Sequence, residues 1–343
     1  MQAPESLRAR LHALIDRFPQ QRLVVFGDLI ADEFVYGRVA RVSREAPVLI
    51  LEYDSTEIIP GGAGNAANNV ATLGGQVTLV GLAGRDEAGR RLVASLPRNV
   101  SRDRIVRPAG YQTPVKTRIL AGGIHSAKQQ IVRIDRLIDA PNDAHRRAVE
   151  RAASAAVRRA DAVLVSDYGS GLVVPAFVRG LAAAMRARRA VPMLVDSRYA
   201  LTDYARLTGC TPNESEVEQL LGVRIDDRPR VLERAGRALL ARTKMQAVLI
   251  TRGSRGMALF QPGKPTVHIP IHGTDQIVDV TGAGDTVMAT MTLSLAAGGT
   301  FEEAARLANV AGGLVVMKRG TATVSAAELK AAVVGPGFSP AGV

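Results

Sequence analysis

Short apolar runs alternate with longer amphipathic stretches along most of the chain, and that alternation sets the expected architecture. Residues 23–26, 77–81, 162–166, 193–196 and 247–251 are brief and rich in Val and Leu, the pattern of strands buried on both faces. Between them, a helix entered through 60–69 and ending near 73, then 86–96, 142–159, 175–188, 214–221 and 228–241, repeat their apolar positions at helical spacing. Helices between buried strands predict a parallel sheet covered on both sides. Two stretches break the rhythm. Residues 34–60 and 104–135 alternate like strands, the second with a turn at Gly122-Gly123, and they are expected to pair as a small sheet outside the main one. The predicted fold class is therefore α/β: a three-layer α/β/α sandwich spanning residues 1–343, with a small β-sheet lid from about 34–60 and 108–135. Residues 335–343 read as a loose Gly/Pro tail.

Composition narrows this little but excludes much. With 47% hydrophobic residues among 343, the chain is expected to be globular with a sizeable core. No apolar run approaches the ~18–20 residues of a membrane span. Residues 6–18 alternate charge with Leu and Ile and lack a small-residue cleavage site, so they do not read as a signal peptide. Cys210 is the single cysteine, which excludes an internal disulfide and fits a reducing cytoplasm. It reads as a small buried residue. Forty-four basic against 32 acidic residues leave a net charge of +12, a balance that favours anionic partners. Much of the excess, including Arg146, Arg147, Arg151, Arg158 and Arg159, lies on helix faces and reads as solvated surface. Aromatics are 4% and Trp is absent, so stacking platforms for nucleic acid are poorly supplied.

The chemistry concentrates late. In 279–286, Asp-Val-Thr-Gly-Ala-Gly-Asp-Thr, small residues precede an apolar run, as in a tight loop opening a helix. Backbone N–H groups of Gly282, Ala283 and Gly284 can converge there on an anion, aided by the helix N-terminus. Asp285 then stands where it can take a proton from an incoming hydroxyl, which together suggest phosphoryl transfer to an alcohol. The plainer alternative is an aspartate capping a helix. Asp28 and Asp32 follow the first strand, at the end of the sheet where ligands bind, and either can accept hydrogen bonds from sugar hydroxyls; Asp28 can equally cap a turn. Gly61-Gly62 allows close backbone approach to a ligand, and Asn65 offers donor and acceptor. Asn213 and Glu216 can hold a hydrated magnesium ion or form a capping box. Thr251-Arg252-Gly253-Ser254-Arg255-Gly256 can line a nucleotide's path or simply turn one strand into the next. Lys116, Arg118 and Arg133, on the second strand-like stretch, can grip a phosphate if they face inward. There is no Walker phosphate loop, no dinucleotide fingerprint after the first strand and no zinc spacing among the five histidines.

Gly61-Gly62 with Asn65, then Asn213-x-x-Glu216, then the 279–285 loop, in that order over nearly the whole chain, resemble the ribokinase-type (PfkB) carbohydrate kinases. Within them, Gly37-Arg38, 41–48 (Arg-Val-Ser-Arg-Glu-Ala-Pro-Val), Ser166-Asp167-Tyr168-Gly169 and 27–32 are similar to the D-glycero-β-D-manno-heptose 7-phosphate kinases, which make the 1,7-bisphosphate on the way to ADP-heptose and lipopolysaccharide core. The resemblance implies a ribokinase-like fold and ATP-dependent phosphorylation of the anomeric hydroxyl. Asp285 would be the base and Gly282, Ala283 and Gly284 the anion hole. Asp32, Gly61, Gly62 and Asn65 would hold sugar hydroxyls. Asn213 and Glu216 would organise Mg2+ indirectly, and Asn213, Thr251, Arg252, Gly253, Gly256 and Asn309 would border ATP. Asp279 and Thr281, with Gly320, would border a monovalent cation, with K+ the candidate. The lid strands would form a homodimer interface burying apolar positions of 48–51. Arg44, Ser170 and Ser197 depart from the Pro, Lys and Pro usual in these kinases, which bears on the exact sugar. Bifunctional relatives continue into a nucleotidyltransferase domain; a chain ending at Val343 is expected to be a kinase alone. The rival readings are a kinase of another acceptor, of phosphofructokinase or adenosine type, and a basic nucleic-acid-binding or regulatory protein.

Overall fold

The computed structural model describes residues 6–122, 128–136, 138–226, 228–273 and 278–335. The Gly122-Gly123 turn and nearly all of the expected tail lie outside these residues. In the first half, α1 (Leu7–Asp16) leads to β1 (Arg22–Gly27), β2 (Leu29–Val42), β3 (Leu49–Gly62), α2 (Ala63–Thr72) and β4 (Gln76–Leu82). Then come α3 (Glu87–Ser95), β5 (Val100–Val106), β6 (Val115–Gly122), β7 (Gln129–Arg136) and α4 (Asp143–Ala156). The second half runs β8 (Ala162–Asp167), α5 (Pro175–Arg186), β9 (Met193–Ser197), β10 (Gly209–Cys210), α6 (Glu214–Leu221) and α7 (Pro229–Thr243). It closes with β11 (Ala247–Thr251), β12 (Met257–Phe260), β13 (Val267–Ile269), α8 (Ala283–Ala296), α9 (Phe301–Val315) and α10 (Ala326–Val334).

Nine strands form the central sheet in the order β13-β12-β11-β10-β9-β8-β1-β4-β5, parallel from β11 to β5, with β12 and β13 antiparallel at the edge. Period-two alternation explains how both faces are covered. Leu23, Val25, Leu79, Leu164 and Leu249 join one core with residues of α1, α2, α8, α9 and α10. Their neighbours Val24, Phe26, Val80, Val163 and Val248 join the other, with α4, α5 and α7. Cys210 is buried in that second core, and desolvation pushes its thiol up, as expected of a packing residue. Among the described residues no helix is long and apolar enough to cross a membrane.

The small sheet has the order β3-β2-β6-β7. Its boundaries differ from the sequence expectation in two ways. Val100–Val106 belongs to the central sheet, pairing parallel with β4, so only β6 and β7 of the 104–135 stretch leave it. Alternation alone cannot say which sheet a strand joins. And β2 begins at Leu29, two residues after β1 ends, so the two sheets share a joint at Asp28. The outer strands carry exposed Leu49, Ile131, Val132 and Ile134, and Val42 at the end of β2 and Val48 just before β3 are exposed beside them.

Candidate active site

The 279–286 stretch does open a helix. Gly282 is the N-cap of α8 at φ +78°, a left-handed conformation that glycine adopts without strain. A Cβ there would lie 2.7 Å from Asn65 Nδ2, so the position also needs the absence of a side chain. The expected anion hole changes in one member. The Ala283 amide donates to the Val280 carbonyl at 3.2 Å and is spent on the turn. Among the described residues the amides of Gly282, Gly284 and Asp285 have no such acceptor, as the first turn of a helix leaves them.

Asp285 is buried in that first turn, and Asn65 Nδ2 donates to its Oδ2 at 2.6 Å. The contact depends on α2, which starts right after the β3 glycines. Gly62 takes φ +58°, and the Ala63 amide donates to the Asp28 carbonyl at 2.9 Å. Asn69, one turn on, accepts from Thr286 Oγ1 at 2.7 Å, so α2 and α8 are pinned together at the carboxylate. Desolvation pushes Asp285 up to about 7, with the charge of Asp32 adding to it and the Asn65 hydrogen bond opposing it. A carboxylate held there is matched to proton abstraction near neutral pH.

Asp32 lies buried on β2 over Gly61, whose missing side chain makes room: a Cβ would sit 2.3 Å from the Asp32 carboxylate. The glycine pair thus ends β3, and Gly62 is at the same time the N-cap of α2. Asp32 Oδ1 accepts from Arg118 at 2.6 Å, so that guanidinium is committed to the carboxylate. Lys116 Nζ lies 5.1 Å over the Tyr168 ring, and desolvation pulls its ammonium down. Arg133 pairs along β7 with Asp135 at 2.8 Å and is exposed. Asp28 plays the turn-capping alternative, accepting the Tyr168 amide at 2.7 Å.

A cleft of about 350 Å³ next to the α8 N-terminus gathers Asn213, Glu216, Thr251, Gly253, Gly256, Ala283, Gly284 and Asn309, drawn from four separate stretches of sequence. Asn213 and Glu216 form a full capping box at the start of α6, each side chain bonded to the other's amide at 2.9 Å, and both still line this cleft. Arg252 does not line it; Glu214 holds its guanidinium at 2.6 Å. The wall is cut close by glycines. Cβ atoms at Gly256 and Gly313 would meet backbone carbonyl oxygens at 2.1 and 2.3 Å.

A second cleft, of about 160 Å³, shares Asp196, Glu216 and Gly284 with the first and adds Asp167, Tyr168, Arg198, Gly282 and Asp285. The two meet at the α8 N-terminus. Tyr168, Asp196 and Arg198 were not among the expected site residues, although Tyr168 stands in the 166–169 motif; the further signal was the position of 167–169 and 196–198 at strand ends in an α/β sheet. Asp196 is pushed up to about 8, by desolvation first and then by Asp285 and Glu216. Asp279 Oδ1 and Oδ2 accept the amides of Thr281 (2.9 Å) and Gly320 (3.0 Å), closing a loop on which the buried Thr321 hydroxyl has no hydrogen-bond partner among the described residues.

Comparison with known proteins gives one consistent answer. The profile described as "pfkB family carbohydrate kinase" matches residues 20–328. The Bifunctional protein HldE of Caulobacter vibrioides is 40% identical over 320 residues, 92% of this chain and 64% of the relative. That of Geobacter sulfurreducens is 41% identical over 312 residues, 89% of this chain and 61% of the relative. The chain thus spans somewhat under two thirds of the length of these relatives. Among solved structures, Arabidopsis thaliana ribokinase, complexed with ribose and ATP, superposes with a TM-score of 0.70 at 21% identity, over 92% of this chain and 99% of that one. Phosphofructokinase-2 from Escherichia coli with fructose-6-phosphate gives 0.69 at 19%, over 91% and 97%. The expected ribokinase-like α/β fold is the one found.

Proposed function

This chain belongs to the pfkB family of carbohydrate kinases, and from that we propose that it transfers the γ-phosphoryl group of ATP to the anomeric hydroxyl of D-glycero-β-D-manno-heptose 7-phosphate. The product would be the 1,7-bisphosphate that leads to ADP-heptose and lipopolysaccharide core, made in the cytoplasm. One observation carries the proposal. A buried carboxylate near neutral pKa, Asp285, stands at a helix N-terminus where a glycine-walled cleft meets a polar one.

ATP occupies the larger cleft, its phosphates toward α8. The acceptor sugar lies on the small-sheet side of Asp285, with Asp32, the Gly61-Gly62 backbone and Asn65 at its hydroxyls. Asp285 takes the proton of the attacking hydroxyl as the oxygen bonds to γ-phosphorus and ADP leaves, while the Gly282, Gly284 and Asp285 amides receive the developing charge. Lys116 and Arg198 are the cations available to the acceptor's phosphate; Arg118 acts by holding Asp32, and Arg133 lies farther out. The acidic pair Asp196–Glu216 fits a hydrated magnesium ion, since two carboxylates forced together are relieved by a dication of hard-oxygen preference. Bound there, Mg2+ would neutralise phosphate charge. The Thr321 hydroxyl beside the Asp279–Gly320 loop, without a partner among the described residues, fits a monovalent cation, with K+ proposed. The small sheet would act as a lid excluding water. Its exposed apolar strand residues support a homodimer through that sheet.

The test is ADP release with ATP and Mg2+, comparing heptose 7-phosphate with fructose 6-phosphate, ribose and adenosine. Turnover strongly favouring the heptose phosphate is expected. Turnover on another acceptor alone would cancel the heptose assignment and leave the kinase chemistry. Salt-sensitive nucleic-acid binding without turnover on any acceptor would favour the basic-protein alternative.

A further inference from the structure

The turn carrying Tyr168 leaves β8 between two buried aspartates, and each is satisfied by a serine. Asp28 accepts the Tyr168 amide at 2.7 Å and the Ser170 hydroxyl at 2.5 Å. Asp167 accepts the Gly169 amide at 2.9 Å, and the hydroxyls of Ser197 and Tyr204 at 2.8 Å each. The turn is therefore clamped from both sides. Ser170 and Ser197 are two of the positions where this chain departs from the sequences it resembles, so the departures are partners of buried carboxylates rather than gaps in the site.

The clamp fixes where Tyr168 points. Its hydroxyl lies 3.5 Å from both Asp285 oxygens, beyond a strong hydrogen bond and committed to neither. Asn65 already holds Oδ2, so the phenol approaches a carboxylate with one oxygen bonded, at the wall of the smaller cleft. Asp28 serves both donors. Its side chain holds the Tyr168 turn, and its carbonyl holds the first amide of the helix that carries Asn65.

Resting on the reading of Asp285 as the base, we propose that Tyr168 is a positioning residue for Asp285, kept in place by the Asp28–Ser170 and Asp167–Ser197 pairs. The phenol donates to the carboxylate as the site closes and turns its free oxygen toward the acceptor hydroxyl.

The charged and titratable groups facing Asp285 are Asp32, Lys116, Tyr168, Asp196, Arg198 and Glu216. Of these only the Tyr168 hydroxyl is removed by Tyr168→Phe, which keeps the ring under Lys116. The titration of Asp285, followed by carboxyl-carbon NMR of the whole chain, reads this independently of turnover. Because the phenol's hydrogen bond lowers the Asp285 pKa, its loss is expected to move the midpoint up, and kcat is expected to fall about tenfold. Ser170→Ala is expected to shift the midpoint in the same direction, and Ser170→Thr, which keeps a hydroxyl, to restore it; nucleotide affinity in each variant shows that the fold survives. An unmoved midpoint in Tyr168→Phe would overturn the role of the phenol. A shift there with none in Ser170→Ala would overturn the clamp. If the wild-type chain turned over no acceptor, the Asp285 midpoints would still decide this inference separately from the proposed reaction.

Discussion

Removing the Asn65 amide tests whether Asp285 works as a base whose pKa the fold sets. In Asn65→Ala the 2.6 Å hydrogen bond to Asp285 Oδ2 is lost, while Asn69 keeps its own bond to the backbone carbonyl of residue 65. A hydrogen bond to a charged group contributes about 1.5–3 kcal/mol, and water entering the space left by the side chain argues for the low end. At ~1.4 kcal/mol per unit, that is about one pKa unit. The sign is upward, because the bond stabilises the ionised carboxylate. Asp285 begins at about 7. At about pH 7 the ionised fraction would then fall from about a half to about a tenth, a roughly fivefold loss in kcat that is regained as pH rises. The assay is kcat against pH at saturating acceptor, which separates the titration from any weakening of acceptor binding. An acid limb at the same pH in both proteins would refute the reasoning, even if the variant were slow.

Three other outcomes follow from the same geometry. Gly282→Ala forces a Cβ into a left-handed position 2.7 Å from Asn65 Nδ2; it is expected to cost about 1–2 kcal/mol in chemical denaturation and to lower turnover more than nucleotide affinity. Asp196, pushed up to about 8 by burial and by Asp285 and Glu216, holds a proton that the unfolded chain releases near the ordinary carboxylate pKa of about 4. Its contribution to stability is therefore present below about pH 4 and lost as pH rises through about 8, and Asp196→Asn should raise Tm at alkaline pH while lowering turnover. Leu49→Glu with Ile134→Glu places charge on the exposed apolar strands of the small sheet; sedimentation should show a dimer in the wild type and a monomer in the variant.

Much of this was legible in the sequence because it is local. The glycine-rich opening of α8 fixes Asp285 at a helix start, and Asn213 with Glu216 spells a capping box within four residues. Val/Leu-rich runs spaced by helices gave the parallel sheet. What stayed hidden depends on distance. Nothing near Val100–Val106 says that it adds to the central sheet rather than to the small one, since both need the same alternation. Ala283 looked like a free amide until the turn closed onto Val280. Arg252 looked available until α6 brought Glu214 beside it. Tyr168 follows the end of β8 and Asp196 lies near the end of β9, far in sequence from the 279–286 loop, and only the juxtaposition of strand ends puts them at Asp285.

The most direct measurement is on Asp285→Ala, with nucleotide binding by calorimetry and turnover by ADP release taken from the same preparation. The account predicts ATP affinity within about threefold of wild type, because the larger cleft is built from other residues, and a fall in turnover of about 10²–10⁴-fold as the base is removed. Near-wild-type turnover in that variant would contradict it.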